Sequence, residues 1–282
     1  MENDYKKEYY NLPGFHLRHT EGPNASDSTT DHLHLNSNRM LLYFMQGDGD
    51  LVVEDNAYRV HSGDVIIMEP SELFHCGIDA KTYHRRLTLH ITPQFWENLP
   101  CNTASLFRVF VSRKKGEGNL IPAAVVKSSG LGAAFEDLLA VVRQDSSNQD
   151  MLALSKMIQL LCLLDGINNT SLPKSSQKDP LLHQVLHYLN EHYTEDLSVE
   201  QVAEYFHITP SYFAHWFKRQ TGLSPWNYVL LRRLKRASAL MSQGISAEDA
   251  CYRVGFDNYA NFFRLYKKHT GITPSQFKKQ MR

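Results

Sequence analysis

The sequence predicts a multidomain α and β protein, with a β-rich N-terminal domain and an all-α C-terminal domain. Three observations support this division. Short apolar segments alternate with turn signals between about residues 39 and 92, and a stretch of about thirty residues occurs twice after residue 197. The zero net charge also hides an asymmetry. Residues 1–177 contain 16 Lys and Arg against 21 Asp and Glu, whereas residues 178–282 contain 14 against 9.

The even spacing of the apolar segments in the N-terminal half predicts a β-sandwich or a β-barrel. The segments are RMLLYFMQGDG, LVVEDNAYRV, HSGDVIIMEPSELFHC and TYHRRLTLHIT. Turns are expected between Gly47 and Gly49 and at Gly63, because glycine adopts turn conformations that other residues disfavour.

Helical periodicity replaces this pattern in residues 130–167. One predicted helix has an apolar stripe formed by Leu131, Phe135, Leu138, Leu139 and Val142. The next segment, MLALSKMIQLLCLLDGI, is apolar on more than one side and should pack against two surfaces. The second surface is either a partner subunit or another part of the same domain.

A polar segment separates the two predicted domains. Residues 168–180, NNTSLPKSSQKDP, have the composition of an exposed linker. We therefore expect an N-terminal domain at residues 1–167 and a C-terminal domain at residues 181–282.

The repeated stretch predicts the same supersecondary unit twice. SVEQVAEYFHITPSYFAHWFKRQTGLSPWNY aligns with SAEDACYRVGFDNYANFFRLYKKHTGITPSQF after one inserted residue. Each copy predicts a short helix with an N-cap, a tight turn and a second helix. A glycine is expected to end the second helix, and a proline to start the helix that follows. These positions, first copy then second, are Ser198 and Ser246, His207 and Gly255, Pro210 and Asn258, Gly222 and Gly271, and Pro225 and Pro274.

Two short helices joined by a sharp turn form a helix-turn-helix, whose second helix enters the DNA major groove. The alternative is a pair of helical hairpins without a ligand, as in a solenoid. Two copies are few for a solenoid, and the excess of Lys and Arg in this half favours a nucleic-acid partner.

Residues 197–277 closely resemble the DNA-binding domain of the AraC/XylS family. The second copy has the family's GF at Gly255 and Phe256, followed by ANFFRLYKK and TGITPSQF, and RRLKRASALM resembles the helix that links the two family repeats. The first copy departs by having His207 at its turn, which should survive because histidine tolerates positive φ.

The segment GDGDLVVEDNAYRVHSGDVIIMEPSELFH resembles the cupin-like sensor domain that precedes the DNA-binding domain in many AraC regulators. The two resemblances together imply an N-terminal cupin-like β-barrel with trailing helices and a C-terminal all-α domain with two helix-turn-helix motifs. The protein is then expected to be a cytoplasmic, sequence-specific transcription regulator, not an enzyme.

The resemblance also implies the partners. We expect double-stranded promoter DNA, a small-molecule effector such as a sugar or related polar metabolite, a second copy of the chain in a homodimer, and RNA polymerase if the protein is an activator. No hydrophobic run reaches the roughly 18 residues of a membrane span, and no cofactor is expected.

Two other functions remain open at this stage. One is a metal-dependent cupin enzyme with a DNA-binding tail, and the other is a constitutive DNA-binding dimer without an effector. His32, His34 and His75 resemble part of a cupin metal site, but the expected carboxylate is missing after His34. We therefore predict no metal and no catalytic residue.

Candidate DNA contacts follow from position in the family pattern. The residues expected to face the bases are Ser211, Ala214, His215, Ala260, Asn261, Phe263 and Arg264. Arg264 is the strongest of these, because a guanidinium can bond guanine O6 and N7 together. The residues expected to contact phosphate lie at the ends of the two recognition helices and are Lys218, Arg219, Lys267 and Lys268.

Candidate effector contacts lie in the N-terminal half. A few convergent polar groups orient a ligand in a mostly apolar pocket, and those expected here are His32, His34, Arg39, His75 and His84. His75 is the first choice, since it closes the stretch that begins at Gly63 and contains Pro70.

Overall fold

The structure is a computed structural model. It describes residues 6–23, 38–54, 56–70, 72, 74–78, 83–93, 95, 105–167, 172–173, 180–221 and 223–280. The predicted linker, residues 168–180, lies mostly outside these ranges, so the boundary between the domains stays a prediction.

The described strands of the N-terminal domain form two antiparallel sheets. They are β1 Lys6–Leu12, β2 Phe15–Pro23, β3 Arg39–Gln46, β4 Gly49–Val53, β5 Asn56–Val60, β6 Val65–Met68, β7 Phe74–Ile78, β8 Tyr83–Ile91 and β9 Leu120–Ile121. One sheet has six strands in the order β1-β2-β8-β3-β6-β9, and the other has three in the order β5-β4-β7. The β-rich fold is confirmed, and the described strands divide between two sheets without closing into one barrel.

Alternation along the strands gives the six-stranded sheet two different faces. Its inner face packs on the three-stranded sheet, because Leu42 and Phe44 share a buried cluster with Leu51 and Val53. Its outer face is covered by the helices that follow the strands, and Leu41 belongs to that second cluster.

The helices that cover the outer face begin with a 3-10 turn at Ser105–Phe107. They are α1 Arg108–Val111, α2 Ala123–Ser129, α3 Leu131–Arg143 and α4 Gln149–Asp165. The apolar stripe predicted for α3 is confirmed, because all five of its residues are buried. On α4, Met157 and Leu160 are buried whereas Met151 and Leu152 are exposed, so apolar side chains occur on both sides of this helix.

The C-terminal domain contains seven described helices. They are α5 Pro180–His192, α6 Val199–Tyr205, α7 Pro210–Thr221, α8 Pro225–Ser242, α9 Ala247–Arg253, α10 Tyr259–Thr270 and α11 Pro274–Gln280. The predicted caps are confirmed at Ser198 and Ser246, whose side chains accept hydrogen bonds from the amides of Gln201 and Asp249. None of the described helices combines the length and the apolar composition that a membrane crossing requires.

The tight turn predicted between the two helices of each repeat is present in both copies. His207 adopts a φ of 56° and Gly255 a φ of 89°, so the histidine of the first copy takes the conformation of the glycine in the second. Gly271 ends α10 in the left-handed conformation as predicted, whereas Gly222 lies outside the described residues.

Helix α8 links two separate cores in this domain. Its Val229 and Leu231 belong to the cluster around α6 and α7. Its Leu234 and Ala237 belong to the cluster around α9 and α10. Each copy of the repeat therefore has its own apolar core, and one helix contributes to both.

Candidate functional site

The second helix of each repeat, α7 or α10, buries an aromatic face and exposes a polar one. Phe213 and Phe217 of α7 are fully buried, as are Phe262 and Tyr266 of α10. Neither helix contains an acidic residue, and basic residues occupy the last turn of both. Each helix thus presents to solvent a surface that complements a phosphate backbone.

On α7, the predicted contacts Ser211, His215, Lys218 and Arg219 are exposed, and Ala214 is half-buried. Tyr212 is 51% exposed beside them and was missed from the sequence. Its spacing of three residues from His215 and seven from Arg219 places it on the same side of the helix, and that spacing could have identified it.

On α10, the exposed predicted contacts are Ala260, Asn261, Arg264, Lys267 and Lys268. The Arg264 guanidinium donates a hydrogen bond of 3.0 Å to Oδ1 of Asn261, so the two side chains are already oriented together. Phe263 is half-buried and its ring centroid lies 6.3 Å from that of Tyr259. Only part of the Phe263 ring is accessible to a partner.

A buried arginine holds the two repeats together. Arg233 of α8 is 5% exposed, and its guanidinium donates to the carbonyl oxygens of Tyr193 at 2.6 Å, Glu195 at 2.7 Å and Gly255 at 2.7 Å. Burial lowers its pKa from the usual value, yet arginine stays protonated in proteins. The spacing of Arg233 from Leu230 and Ala237 marks the buried face of α8, and that signal was missed.

Of the five residues predicted for an effector pocket, only Arg39 and His84 have side chains within the described part of the structure. His32 and His34 lie outside the described residues. The backbone of His75 lies in β7 opposite Val52 of β4, and its side chain is outside the described part. His84 is buried on the inner face of β8, opposite Gly22.

Arg39 does not join His84. It lies on the outer face of β3, where its Nε donates to Glu69 at 2.6 Å and its guanidinium lies 4.9 Å from the centre of the Phe107 ring. Its strand parity directs it at the covering helices, so Arg39 and His84 lie on opposite faces of the sheet.

Other polar side chains lie beside His84 on the inner face. Arg18 and Thr20 of β2 stand opposite Thr88 and Arg86 of β8, and Nη2 of Arg18 is 3.5 Å from Oγ1 of Thr88. Their spacing of two residues could have shown that His84, Arg86 and Thr88 share one face of β8, but not that this face is covered. Within the described residues, no group of three or more His, Cys, Asp or Glu is placed to hold a metal ion.

Comparison with known proteins agrees with both parts of this geometry. Residues 16–161 match the AraC-like ligand binding domain, and residues 202–280 match a helix-turn-helix domain. The chain belongs to the AraC/XylS family of transcription regulators. Members of this family are regulators and not enzymes, so this chain is a DNA-binding regulator with an N-terminal ligand-binding domain.

Individual AraC/XylS relatives match most of the chain. The uncharacterized HTH-type transcriptional regulator YdiP of Escherichia coli is 25% identical over 264 residues, which cover 89% of this chain and 81% of the relative. The arabinose operon regulatory protein of Salmonella typhimurium is 21% identical, covering 83% and 81%. Among solved structures, the C-terminal domain of AraT from Geobacillus stearothermophilus is 27% identical, with a TM-score of 0.36, over 37% of this chain and 88% of that one.

In this AraC/XylS regulator the two domains touch through the turn between β4 and β5. The Glu54 carboxylate pairs with Arg232 of α8, and also with Lys235 at 2.7 Å. The Tyr228 hydroxyl donates to the Glu54 carbonyl oxygen at 3.1 Å. Val52 belongs to the buried cluster of the first repeat, so the contact combines ion pairs with apolar packing.

Burial at this contact has an electrostatic consequence. Burial lowers the pKa of Lys235 to about 8, although Glu54 opposes the shift. The ammonium is thus held in a place where its charged form costs free energy, and Glu54 offsets part of that cost.

Proposed function

We propose that this regulator binds promoter DNA with α7 and α10 together and that an effector bound between its two sheets changes that binding. The observation that supports it most directly is the pair of acid-free, basic helices whose relative position Arg233 and α8 fix. Two rigidly linked recognition helices would enter successive major grooves, about 34 Å apart on one face of the duplex. One chain would then cover a nonpalindromic site.

Base reading and phosphate contact are assigned to different parts of each helix. In this proposal Ser211, Ala214 and His215 face bases in one groove, and Ala260, Asn261, Phe263 and Arg264 face bases in the next. Lys218, Arg219, Lys267 and Lys268 contact phosphate at the helix ends. Exposure supports these roles for all but Ala214 and Phe263, which are half-buried and would make smaller apolar contacts.

The effector site in this proposal is the polar inner face of the larger sheet. The proposed site contains His84 together with Arg18, Thr20, Arg86 and Thr88. It does not contain Arg39, which lies on the opposite face of the sheet. A polar metabolite related to a sugar suits these groups. Effector binding by this domain also agrees with a relative named the arabinose operon regulatory protein. The effector must bind one arrangement of the domains better than the other to change DNA binding.

The assembly and the place of action complete the proposal. Met151 and Leu152 are exposed apolar residues of α4, and their burial against a second copy would support a homodimer. The regulator would act in the cytoplasm, where its promoter DNA is, and would contact RNA polymerase if it activates transcription.

Arg264 provides the test of DNA reading. Arg264→Ala should lose about 1–3 kcal/mol of discrimination at one base pair of the chain's own promoter, because a bidentate contact to guanine is removed. Arg264→Lys should lose similar discrimination but keep the salt dependence, since lysine retains the charge without the planar fork. Fluorescence anisotropy with matched and single-substituted promoter duplexes measures both.

The control for this experiment is Arg108→Ala, which removes an exposed arginine of the N-terminal domain. It should leave promoter affinity unchanged. Wild-type affinity and specificity in Arg264→Ala would show that α10 does not read bases through this side chain.

A further inference from the structure

The two recognition helices begin in the same way. The Thr209 hydroxyl accepts a hydrogen bond from the Tyr212 amide at 3.3 Å, and the Asn258 side chain accepts one from the Asn261 amide at 3.1 Å. In each case the accepting residue stands directly before the helix, as an N-cap does. Tyr212 on α7 and Asn261 on α10 therefore occupy equivalent positions in the first turns of their helices.

The next pair of residues continues this correspondence along the helices. His215 lies three residues after Tyr212, and Arg264 lies three residues after Asn261. Side chains three residues apart are neighbours on a helix surface. All four are exposed, and the Arg264 guanidinium already donates to the Asn261 side chain at 3.0 Å. Tyr212 and His215 thus stand on α7 where α10 presents its asparagine and arginine.

The groups that the two helices expose at these positions differ in chemistry. On α10 they are a carboxamide and a guanidinium, which can each form two hydrogen bonds to the edge of a purine. The first two turns of α7, residues 210–216, contain no Asn, Gln, Arg or Lys. They present instead the ring of Tyr212, which is 51% exposed, and the methyl group of the half-buried Ala214. The start of α7 therefore offers apolar surface where α10 offers paired hydrogen bonds.

Apolar surface on a recognition helix has a complement in the major groove. The C5 methyl group of thymine is the apolar group that base pairs display there. Recognition helices contact base edges with residues near their N-termini, and Tyr212 lies near that end of α7. Its ring is absent from the buried cluster that the described residues of the first repeat form. Contact with a thymine methyl would remove apolar area of this ring from water, which is favourable.

We propose that α7 recognises thymine through contact between the Tyr212 ring and the C5 methyl group, whereas α10 recognises purines through Asn261 and Arg264. The inference rests on the proposed binding of DNA by both helices, and it adds Tyr212 to the residues that give the first helix its specificity. The two grooves read by one chain would then carry different sequences. Thymine would be selected in the groove of α7, and purines in the groove of α10.

The test first obtains a binding site by selecting duplexes from a random library with the full chain. Arg264→Ala marks the groove of α10, because discrimination is lost there, and the groove of α7 lies about one helical turn away. Each thymine in the groove of α7 is then replaced by deoxyuridine, which pairs in the same way but lacks the C5 methyl group. One of these replacements should weaken wild-type binding about fourfold, the equivalent of one apolar carbon returned to water.

Three variants show whether the lost methyl group acts through Tyr212. Tyr212→Ala should bind the thymine and deoxyuridine duplexes equally, because the ring that distinguishes them is gone. Tyr212→Phe should keep the preference of about fourfold, since it loses only the hydroxyl. Tyr252→Ala is the matched control and should also keep the preference. Tyr252 is likewise 51% exposed, but it lies on α9, the first helix of the second repeat.

The proposal alone is overturned if no deoxyuridine replacement in the groove of α7 weakens wild-type binding, or if Tyr212→Ala keeps the thymine preference, while Arg264→Ala still loses discrimination. It is also overturned if Tyr212→Phe weakens binding to both duplexes as much as Tyr212→Ala does, which would assign the Tyr212 hydroxyl to a phosphate. A full chain that selects no sequence from the library would overturn the function proposed for the regulator as well.

Discussion

Lys267 and Lys268 are exposed in the last turn of α10. A cation in this position favours the helix itself, because it faces the negative end of the helix dipole. The same position allows contact with a DNA phosphate. The two effects differ in what they predict, since only phosphate contact makes promoter affinity depend on salt through these residues.

Lys268→Ala should therefore weaken specific and nonspecific DNA binding alike. The slope of log K against log salt should fall by about 0.9, because one phosphate contact is lost. Titrations of one promoter and one unrelated duplex at several salt concentrations measure this slope. Lys127→Ala, an exposed lysine in the N-terminal domain, is the control, and a loss confined to the promoter would assign Lys268 to base reading.

Individual side chains were predicted unevenly from the sequence. The recognition-helix residues follow from their positions in the family pattern, and most of them are exposed in the structure. His84, Arg86 and Thr88 alternate with Arg85, Leu87 and Leu89, and such alternation normally indicates a solvent-facing polar side. The three-stranded sheet covers that side instead. The sequence contains the periodicity, but which sheet covers which face depends on contacts between distant segments.

Glycines that follow helices of the C-terminal domain differ in how closely their surroundings approach them. Gly255 has a positive φ, and a Cβ added to it would lie 2.3 Å from the Thr194 carbonyl oxygen. Gly271 and Gly244 also have positive φ, but a Cβ added to either meets nothing within 4 Å. Among these three glycines, only Gly255 would meet both a disfavoured φ and a steric clash if it carried a Cβ.

Gly255→Ala should therefore destabilise the protein far more than Gly244→Ala. The matched change at Gly244 should cost about 1 kcal/mol for its backbone conformation alone, whereas Gly255→Ala should cost several kcal/mol, because the backbone of Thr194 must move. Arg233 would be disturbed as well, since it donates to the Gly255 carbonyl. Urea unfolding followed by circular dichroism compares them, and equal costs would contradict the steric argument.

The helices of the repeats were predicted well because their limits are set locally. Ser198, Ser246 and Pro274 mark ends through contacts within a few residues of each. The strand arrangement was predicted only as a β-rich fold, since the pairing of β2 with β8 joins segments about seventy residues apart. No local pattern indicates which strands become neighbours.

Glu54 joins the two domains through residues that lie 178 and 181 positions away in the sequence. Glu54→Gln should loosen this contact, because Arg232 and Lys235 lose their counter-charge in a buried place. Backbone amides of α8 and of the β4–β5 turn should then exchange with solvent about tenfold faster at pH 7. Hydrogen exchange with mass spectrometry measures this, and Glu136→Gln, at an exposed site on α3, is the control.

The effect of Glu54→Gln should shrink as the pH rises. Docking lowers the pKa of Lys235 from its usual 10.5 to about 8, so the separated domains bind the extra proton between these values. Docking is accordingly favoured as pH increases through that window. At pH 10 the docked lysine is neutral and needs the carboxylate less, so an equal effect of the substitution at pH 7 and pH 10 would argue against this role for Lys235.

In the proposed binding mode, the length of helix α8 would set the rotation of α10 about the DNA axis relative to α7. One residue inserted into an α-helix turns everything after it by about 100° and advances it by about 1.5 Å. Such an insertion in α8 would rotate α10 away from the groove that faces it, even with every base-reading side chain unchanged. If both helices bind DNA as proposed, the length of α8 would contribute to promoter specificity, and promoters with altered spacing between the two grooves that are read should favour altered lengths of this helix.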